Sequence, residues 1–164
     1  RYAEAFTYAF QRRHGLQVRV ARIFNTYGPR MDPADGRVVT NFLGQALHGE
    51  PLTIYGDGTQ TRSFQYISDL VEGIMLLMSA DYSGPVNLGN PREITLLDLA
   101  RKVVDVTGSM SPVTHLDLPE DDPRRRRPDI SLARTVLGWQ PTVPLDEGLR
   151  LTADYLQRVE GLGV

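Results

Sequence analysis

The fold of this chain turns on the stretch RIFNTYGPR (22–30). Together with the residues before it, QVRVARIF (17–24) is a compact β-branched run that predicts a buried strand. Asn25 then stands at the carboxyl end of that strand, and Gly and Pro make NTYGPRMDPADG (25–36) irregular. In open α/β sheets ligands gather beyond the carboxyl ends of the strands, which makes Asn25 a candidate contact. Its amide both donates and accepts, as a phosphate or a sugar hydroxyl requires. The competing reading is that Asn25 closes a turn by bonding its own backbone, and position alone favours that.

Outward from this junction, helical and strand patterns alternate. Residues 2–14 read as a helix with Tyr2, Phe6, Ala9 and Phe10 on one face and Gly15 as its stop. Residues 38–48 read as a second helix ending at Gly49. LTIY (52–55) and RSFQY (62–66) read as extended segments around GDGTQ (56–60), whose GDG suits a hairpin turn. Ser68 is placed to cap a helix running to Ser79, and PVNLGN (85–90) reads as a short buried strand. Thr95 and Asp98 form a capping box for a helix ending near Gly108. VTHLDL (113–118) alternates as a strand does, residues 119–129 read as a loop, and helices are expected over 131–137 and 145–159. Alternating elements with short connections predict an α/β fold.

Composition narrows the function. The 164 residues are 41% hydrophobic and 23% charged, a globular composition, and the net charge is −2. There is no Cys, which excludes disulfide scaffolds, thiolate zinc sites and cysteine nucleophiles. His14, His48 and His115 are too far apart in sequence for a paired metal motif, so no metal is expected. The longest apolar stretch, GIMLLMSA (73–80), is far short of a membrane span. RYAEAFTYAFQRRHG (1–15) lacks the apolar core of a signal peptide, so a soluble cytoplasmic protein without a membrane partner is expected. Lys102 is the sole lysine and the other basic residues are arginines. Residues 1–40 hold seven arginines against Glu4, Asp32 and Asp35, while the remainder is acidic. Local positive charge in an acidic protein suits an anionic small molecule rather than nucleic acid.

Three further features bear on such a ligand. Arg62 stands in a strand-like segment among residues suited to burial, and a rigid guanidinium is the preferred bidentate partner of phosphate or carboxylate. A structural ion pair or an outward-facing position is the alternative for it. Tyr55 suits stacking on a base, or a core aromatic with a wet hydroxyl. RRRR (124–127) is balanced by Glu120, Asp121, Asp122 and Asp129 and bracketed by Pro123 and Pro128. It reads as a rigid loop presenting one or two arginines inward, or as a solvated charged loop.

VRVARIFNTYGPRM, DGRVVTNFLGQALHGEPLTIYGDGTQTRSFQYISDLVEGI, PVNLGNPREIT, DDPRRRRPDI and LGWQPTVPLDEGL span nearly the whole chain in order. In these segments the chain resembles the C-terminal half of the extended short-chain dehydrogenase/reductases that act on nucleotide sugars. GRVVTNF combined with QTRSFQYISD resembles the UDP-glucuronate decarboxylase branch more than the dTDP-glucose 4,6-dehydratases. The resemblance implies an NAD-dependent enzyme that oxidises the sugar at C4, releases CO₂ and reduces the ketone back, giving UDP-xylose. It implies that residues 1–30 are part of a Rossmann domain. Residues 31–164 would then be mainly a smaller substrate-binding subdomain, with 85–90 returning to the Rossmann sheet.

Carried over residue by residue, Asn25 resembles the contact to the sugar or its diphosphate, and Thr26 and Arg37 resemble residues near the nicotinamide end of NAD. Val39, Thr40, Asn41, Phe42, Leu43 and Tyr55 resemble the lining of the nucleotide pocket. Arg62 and Arg126 resemble arginines that grip the diphosphate, Arg62 also matching a place assigned nearer the carboxylate in a related decarboxylase type. The family's Tyr-x-x-x-Lys pair aligns just before Arg1, and Lys102 lies in the wrong helix to replace it. The Gly-rich dinucleotide turn is absent as well, NLGNP having neither its spacing nor its context. The expectation is a UDP-sugar pocket without catalytic residues of its own, homodimeric in the full-length enzyme through helix 2–14. The rival expectations are a 4,6-dehydratase, a UDP-sugar 4-epimerase, or a non-catalytic nucleotide-sugar-binding module.

Overall fold

A computed structural model of the chain describes residues 2–32, 35–117 and 125–160; the side chains of residues 125, 126 and 160 lie outside the described set. Helix α1 (Tyr2–His14) is followed by β1 (Val20–Ile23), β2 (Thr26–Tyr27) and α2 (Val38–Leu47). Then come β3 (Leu52–Tyr55), β4 (Thr61–Ser63), β5 (Gln65–Tyr66) and α3 (Ile67–Ser79). The rest is β6 (Pro85–Leu88), β7 (Glu93–Thr95), α4 (Leu96–Thr107), β8 (Val113–Leu116), β9 (Arg125–Arg126), α5 (Ser131–Leu137) and α6 (Leu145–Glu160).

Local chemistry sets most helix ends. The Thr95 hydroxyl accepts the Asp98 N–H at 3.0 Å and donates to the Asp98 carboxylate at 2.7 Å, closing the expected box at the start of α4. Gly108 and Gly138 end α4 and α5 in the left-handed conformation. Ser68 does not cap α3, whose first turn carries no side-chain cap bond. Its neighbour Asp69 is buried instead and reaches out of the helix, accepting from the Thr142 N–H and hydroxyl and from the Val143 N–H.

Strand pairing departs from the local reading. β3 and β4 do not form a hairpin across GDGTQ: β3 pairs in parallel with β8, Leu52 opposite Val113, and β4 pairs with β7 and β9. The turn serves α4, since the Gly58 and Gln60 carbonyls accept the first N–H groups of that helix from Leu97 and Leu96, each at 3.2 Å. Gly58 sits at φ +77° with its Cα against Leu97, where a Cβ would lie 2.7 Å from that side chain. The 17–24 strand is shorter than its pattern, and Arg22 and Ile23 are exposed rather than buried. Among the described residues β1 has one neighbour, the parallel β6, in register from Val20–Pro85 to Ile23–Leu88. The segment read as a loop over 119–129 contains β9 in its described part. VTHL is a strand, but all four of its residues are exposed along an edge.

Two cores result. The larger one gathers Phe42, Leu43 and Ala46 of α2, Leu99 and Val103 of α4, Leu149, Ala153 and Leu156 of α6, and the Tyr27–Tyr66 pair. The smaller one packs Leu70 and Leu77 of α3 on Val86 and Leu88 of β6, with Ile130, Ala133 and Trp139. Glu4 receives a two-pronged bond from Arg22 at 2.7 and 2.6 Å, docking α1 on β1.

Candidate functional site

The carboxyl end of β1, strand β2, the first turn of α2 and strand β4 converge on an open cleft of about 520 Å³. Its wall includes Phe24, Asn25, Thr26, Met31, Arg37, Val38, Val39, Arg62 and Phe64. β2 pairs in parallel with β5, Thr26 opposite Gln65, and this holds the Asn25–Thr26 corner in place. Asp35 orients the entry to α2, its carboxylate accepting the Arg37 N–H at 2.9 Å and the Thr40 hydroxyl at 2.6 Å. The amino end of α2, rich in unpaired N–H groups, therefore borders the same space as Arg37 and Arg62.

The expected site residues divide. Asn25, Thr26, Arg37, Val39 and Arg62 meet at the cleft. Asn25 makes no side-chain hydrogen bond among the described residues; it is Thr26 that closes locally, its hydroxyl donating to the Phe24 carbonyl at 2.9 Å. Arg62 is half-buried and donates to the Thr61 carbonyl at 2.8 Å, while Arg37 is largely exposed and lies 3.3 Å from Asp35. Arg62 and Arg126 sit opposite one another in the parallel β4–β9 pair, so the backbone brings both arginine positions to one place. The Arg126 side chain is outside the described residues.

The rest of the run from Val39 to Leu43 turns away from the cleft lining, as a 3.6-residue period requires. Thr40 is bound to Asp35 and the Arg37 carbonyl, Asn41 donates to the Gly36 carbonyl at 3.1 Å, and Phe42 and Leu43 are core residues. Tyr55 is not a core aromatic: it is 45% exposed at the end of β3 and is not among the cleft residues. Sequence reasoning missed Met31, Val38 and Phe64; an apolar residue lining a cleft carries the same signal as one lining a core.

Tyr27 also reaches the cleft, but burial pushes its hydroxyl pKa well up, with Tyr66 and nearby carboxylates adding to the effect. The hydroxyl donates to the Leu145 carbonyl at 3.2 Å and stays protonated at neutral pH. Lys102 lies in a second groove of about 550 Å³, lined also by Arg92, Glu93, Asp98, Arg101 and Asp146, and is bound to Asp146 at 2.6 Å. Among the described residues no three His, Asp or Glu side chains gather as metal ligands. No described helix is long and apolar enough to cross a membrane.

Residues 1–89, which carry the parallel β1–β6 pair and the cleft at its carboxyl end, match a family model described as the NAD dependent epimerase/dehydratase family. The chain belongs to that family. Within it, the chain is 53% identical over 158 residues to UDP-glucuronic acid decarboxylase 1 of Xenopus tropicalis, covering 96% of this chain and 38% of that protein. It is 54% identical over 162 residues to UDP-glucuronic acid decarboxylase 4 of Arabidopsis thaliana, covering 98% of this chain and 37% of that protein. The chain thus spans less than two fifths of these relatives' length. Among solved structures it superposes on the UDP-glucose 4-epimerase of Thermotoga maritima with UDP-glucose, with TM-score 0.91 and 34% identity over 96% of this chain and 51% of that one. It also superposes on the UDP-glucuronic acid 4-epimerase of Bacillus cereus with UDP-glucuronic acid and NAD, with TM-score 0.86 and 30% identity over 95% and 50%. The fold is therefore the α/β one expected from the alternating elements, and the Rossmann-like one the resemblance implied.

Proposed function

We propose that this chain forms the substrate-binding part of a UDP-glucuronate decarboxylase, which converts UDP-glucuronate to UDP-xylose with NAD. One observation carries the reading: Asn25, Arg37 and Arg62 converge on a single cleft, and Arg126 pairs in register with Arg62. Identity above half to the decarboxylases over nearly the whole chain supports it. In this reading Arg62 and Arg126 neutralise the diphosphate, Asn25 bonds the sugar or its diphosphate, and Val39 packs on the nucleotide. Thr26 and Arg37 border the nicotinamide end of NAD. They do not by themselves make an NAD site. The 164 residues hold no G-x-G-x-x-G turn, and Thr26 and Arg37 already engage Phe24 and Asp35.

The same proposal assigns residues 1–30 and strand β6 to a Rossmann domain and most of 31–164 to the substrate subdomain. It assigns the exposed ring ladder of α1 to a homodimer contact in the full-length enzyme: Tyr2, Phe6 and Phe10 are all exposed, with ring centroids 6.1 and 4.8 Å apart. It places the enzyme in the cytoplasm. No Tyr-x-x-x-Lys occurs in the 164 residues, since Asp98 stands four positions before the sole lysine, so the chain alone is expected to bind and not to turn over.

Calorimetry with UDP-glucuronate tests the reading. Arg62→Ala is expected to weaken binding about ten- to hundredfold, the loss of a charge-assisted hydrogen bond. The exposed Arg37→Ala is expected to cost about twofold. Unmeasurable binding by the unaltered chain, or equal binding by Arg62→Ala, refutes it, and UDP-xylose made by the chain alone refutes its non-catalytic part. The second reading, a UDP-sugar 4-epimerase, is favoured by the 0.91 superposition on the Thermotoga maritima enzyme. The two part at C5 of the sugar: the decarboxylase reading requires UDP-glucuronate to bind more tightly than UDP-glucose.

A further inference from the structure

Gln65 is fully buried at the start of β5, behind the cleft wall and outside its lining. Its Nε2 donates twice, to the Thr26 hydroxyl oxygen at 3.0 Å and to the Leu88 carbonyl at 2.9 Å, and its backbone N–H donates to the Asn25 carbonyl at 2.9 Å. Its Oε1 is buried with no hydrogen-bond partner among the described residues. Packing does not account for this residue. A buried amide with an unpaired oxygen is penalised where an apolar side chain of the same length is not.

Neither acceptor depends on the amide for its own satisfaction. The Leu88 carbonyl also receives the Phe24 N–H at 3.0 Å, and the Thr26 hydroxyl has its own bond to the Phe24 carbonyl. What the amide adds is a tie between two sheets, from β6 of the β1–β6 pair to the Thr26 side chain of the β2–β5 pair. Phe24, Asn25 and Thr26, the corner on which the cleft turns, are thereby held from one side by Leu88 and from the other by Gln65.

We infer that Gln65 is a positioning residue: its carboxamide fixes the rotamer of Thr26 and the path of Asn25, and so sets the floor of the ligand cleft. It touches no ligand itself. The ligand half of this inference rests on the nucleotide-sugar reading above; the ordering of Thr26 does not.

The test compares the full chain with Gln65→Met, which keeps side-chain length, and with Thr26→Val, which removes the other end of the tie. Three quantities are read: the urea unfolding midpoint, the order parameter of the residue 26 methyl groups by NMR, and UDP-glucuronate affinity. Gln65→Met is expected to leave the midpoint unchanged or raised and to lower the Thr26 methyl order. It is expected to weaken UDP-glucuronate about three- to tenfold, one lost hydrogen bond's worth of ordering. Gln65→Met added to Thr26→Val is expected to cost no further affinity. Unchanged methyl order in Gln65→Met, a midpoint that falls sharply, or additive losses in the double variant overturns the inference. Absence of UDP-glucuronate binding by the unaltered chain overturns the functional reading instead, and methyl order and midpoint then decide this one.

Discussion

Asp69 offers the sharpest test of how the two cores are joined. The residue is 2% exposed in the first turn of α3, and its carboxylate accepts three hydrogen bonds from the segment leading into α6. These come from the Thr142 N–H at 3.1 Å, the Thr142 hydroxyl at 3.0 Å and the Val143 N–H at 3.2 Å. The Asp69 carbonyl accepts the Trp139 indole N–H at 3.0 Å from the same segment. Replacing Asp69 with Ala removes all three carboxylate bonds. A hydrogen bond to a charged acceptor contributes about 1.5–3 kcal/mol, but Thr142 is exposed and water can replace its partner, so a loss of about 2–4 kcal/mol is expected. For a chain of this size each kcal/mol moves Tm by about 2–4 °C, which predicts a fall of about 4–16 °C. Asp69→Asn keeps one acceptor for Thr142 and sets an N–H₂ against the Val143 N–H, for a loss of about 1–2 kcal/mol. Circular dichroism melts give the ranking. Fluorescence of Trp139, the sole tryptophan, is expected to shift to the red as the joint loosens. An Ala variant melting within about 1 °C of the unaltered chain, with Trp139 emission unchanged, would mean that this carboxylate does not hold the segment.

Three other outcomes follow from single contacts. Gly148 in α6 lies against the Tyr27 hydroxyl, and a Cβ there also meets the Tyr66 ring at 2.9 Å, so Gly148→Ala is expected to lower stability by about 1–3 kcal/mol in urea melts. A midpoint equal to that of the unaltered chain rejects this. Thr95→Ala, which opens the α4 capping box, is expected to cost about 1 kcal/mol by the same measurement; no change means that the cap bond is idle. Burial raises the pKa of Tyr27 when folded, so the unfolded chain loses that proton first. The resulting stability is fully present below pH about 10 and is lost as pH rises above it toward the folded value. The difference in absorbance at 295 nm between the unaltered chain and Tyr27→Phe is expected to show Tyr27 ionising together with unfolding; a Tyr27 that titrates before the chain unfolds contradicts the burial.

Much of the site was legible in the sequence because its motif is local. Asn25, Thr26, Arg37, Val39 and Arg62 stand at one cleft, in the segments RIFNTYGPR, GRVVTNF and QTRSFQY on which the resemblance rests. The resemblance placed Thr40, Asn41, Phe42 and Leu43 with Val39 as one run, yet on a helix adjacent residues point about 100° apart: Thr40 turns to Asp35, Asn41 to the Gly36 carbonyl, and Phe42 and Leu43 to the core. Tyr55 and Gln65 mark the limit of the local reading. An aromatic read as stacking on a base or as a core residue proved exposed, whereas Gln65, in a segment read as suited to burial, proved fully buried with hydrogen bonds to Thr26 and Leu88 that no local pattern announces. Neither pattern reports which strand lies alongside.

The amino-acid sequence by itself determined what depends on neighbours a few residues apart. This covers the helix spans, the Thr95–Asp98 box, the left-handed glycines 108 and 138, and the Asn-Gly-Pro corner after β1. Tertiary structure alone decided which distant segments meet. It paired β3 with β8 instead of with β4, set Arg62 opposite Arg126, and gave Asp69 its partners at 142 and 143. The physical reason is range. Capping and propensity are settled within one turn of chain, whereas strand register and buried acceptors are settled only when the apolar faces of α2, α4 and α6 close on one core.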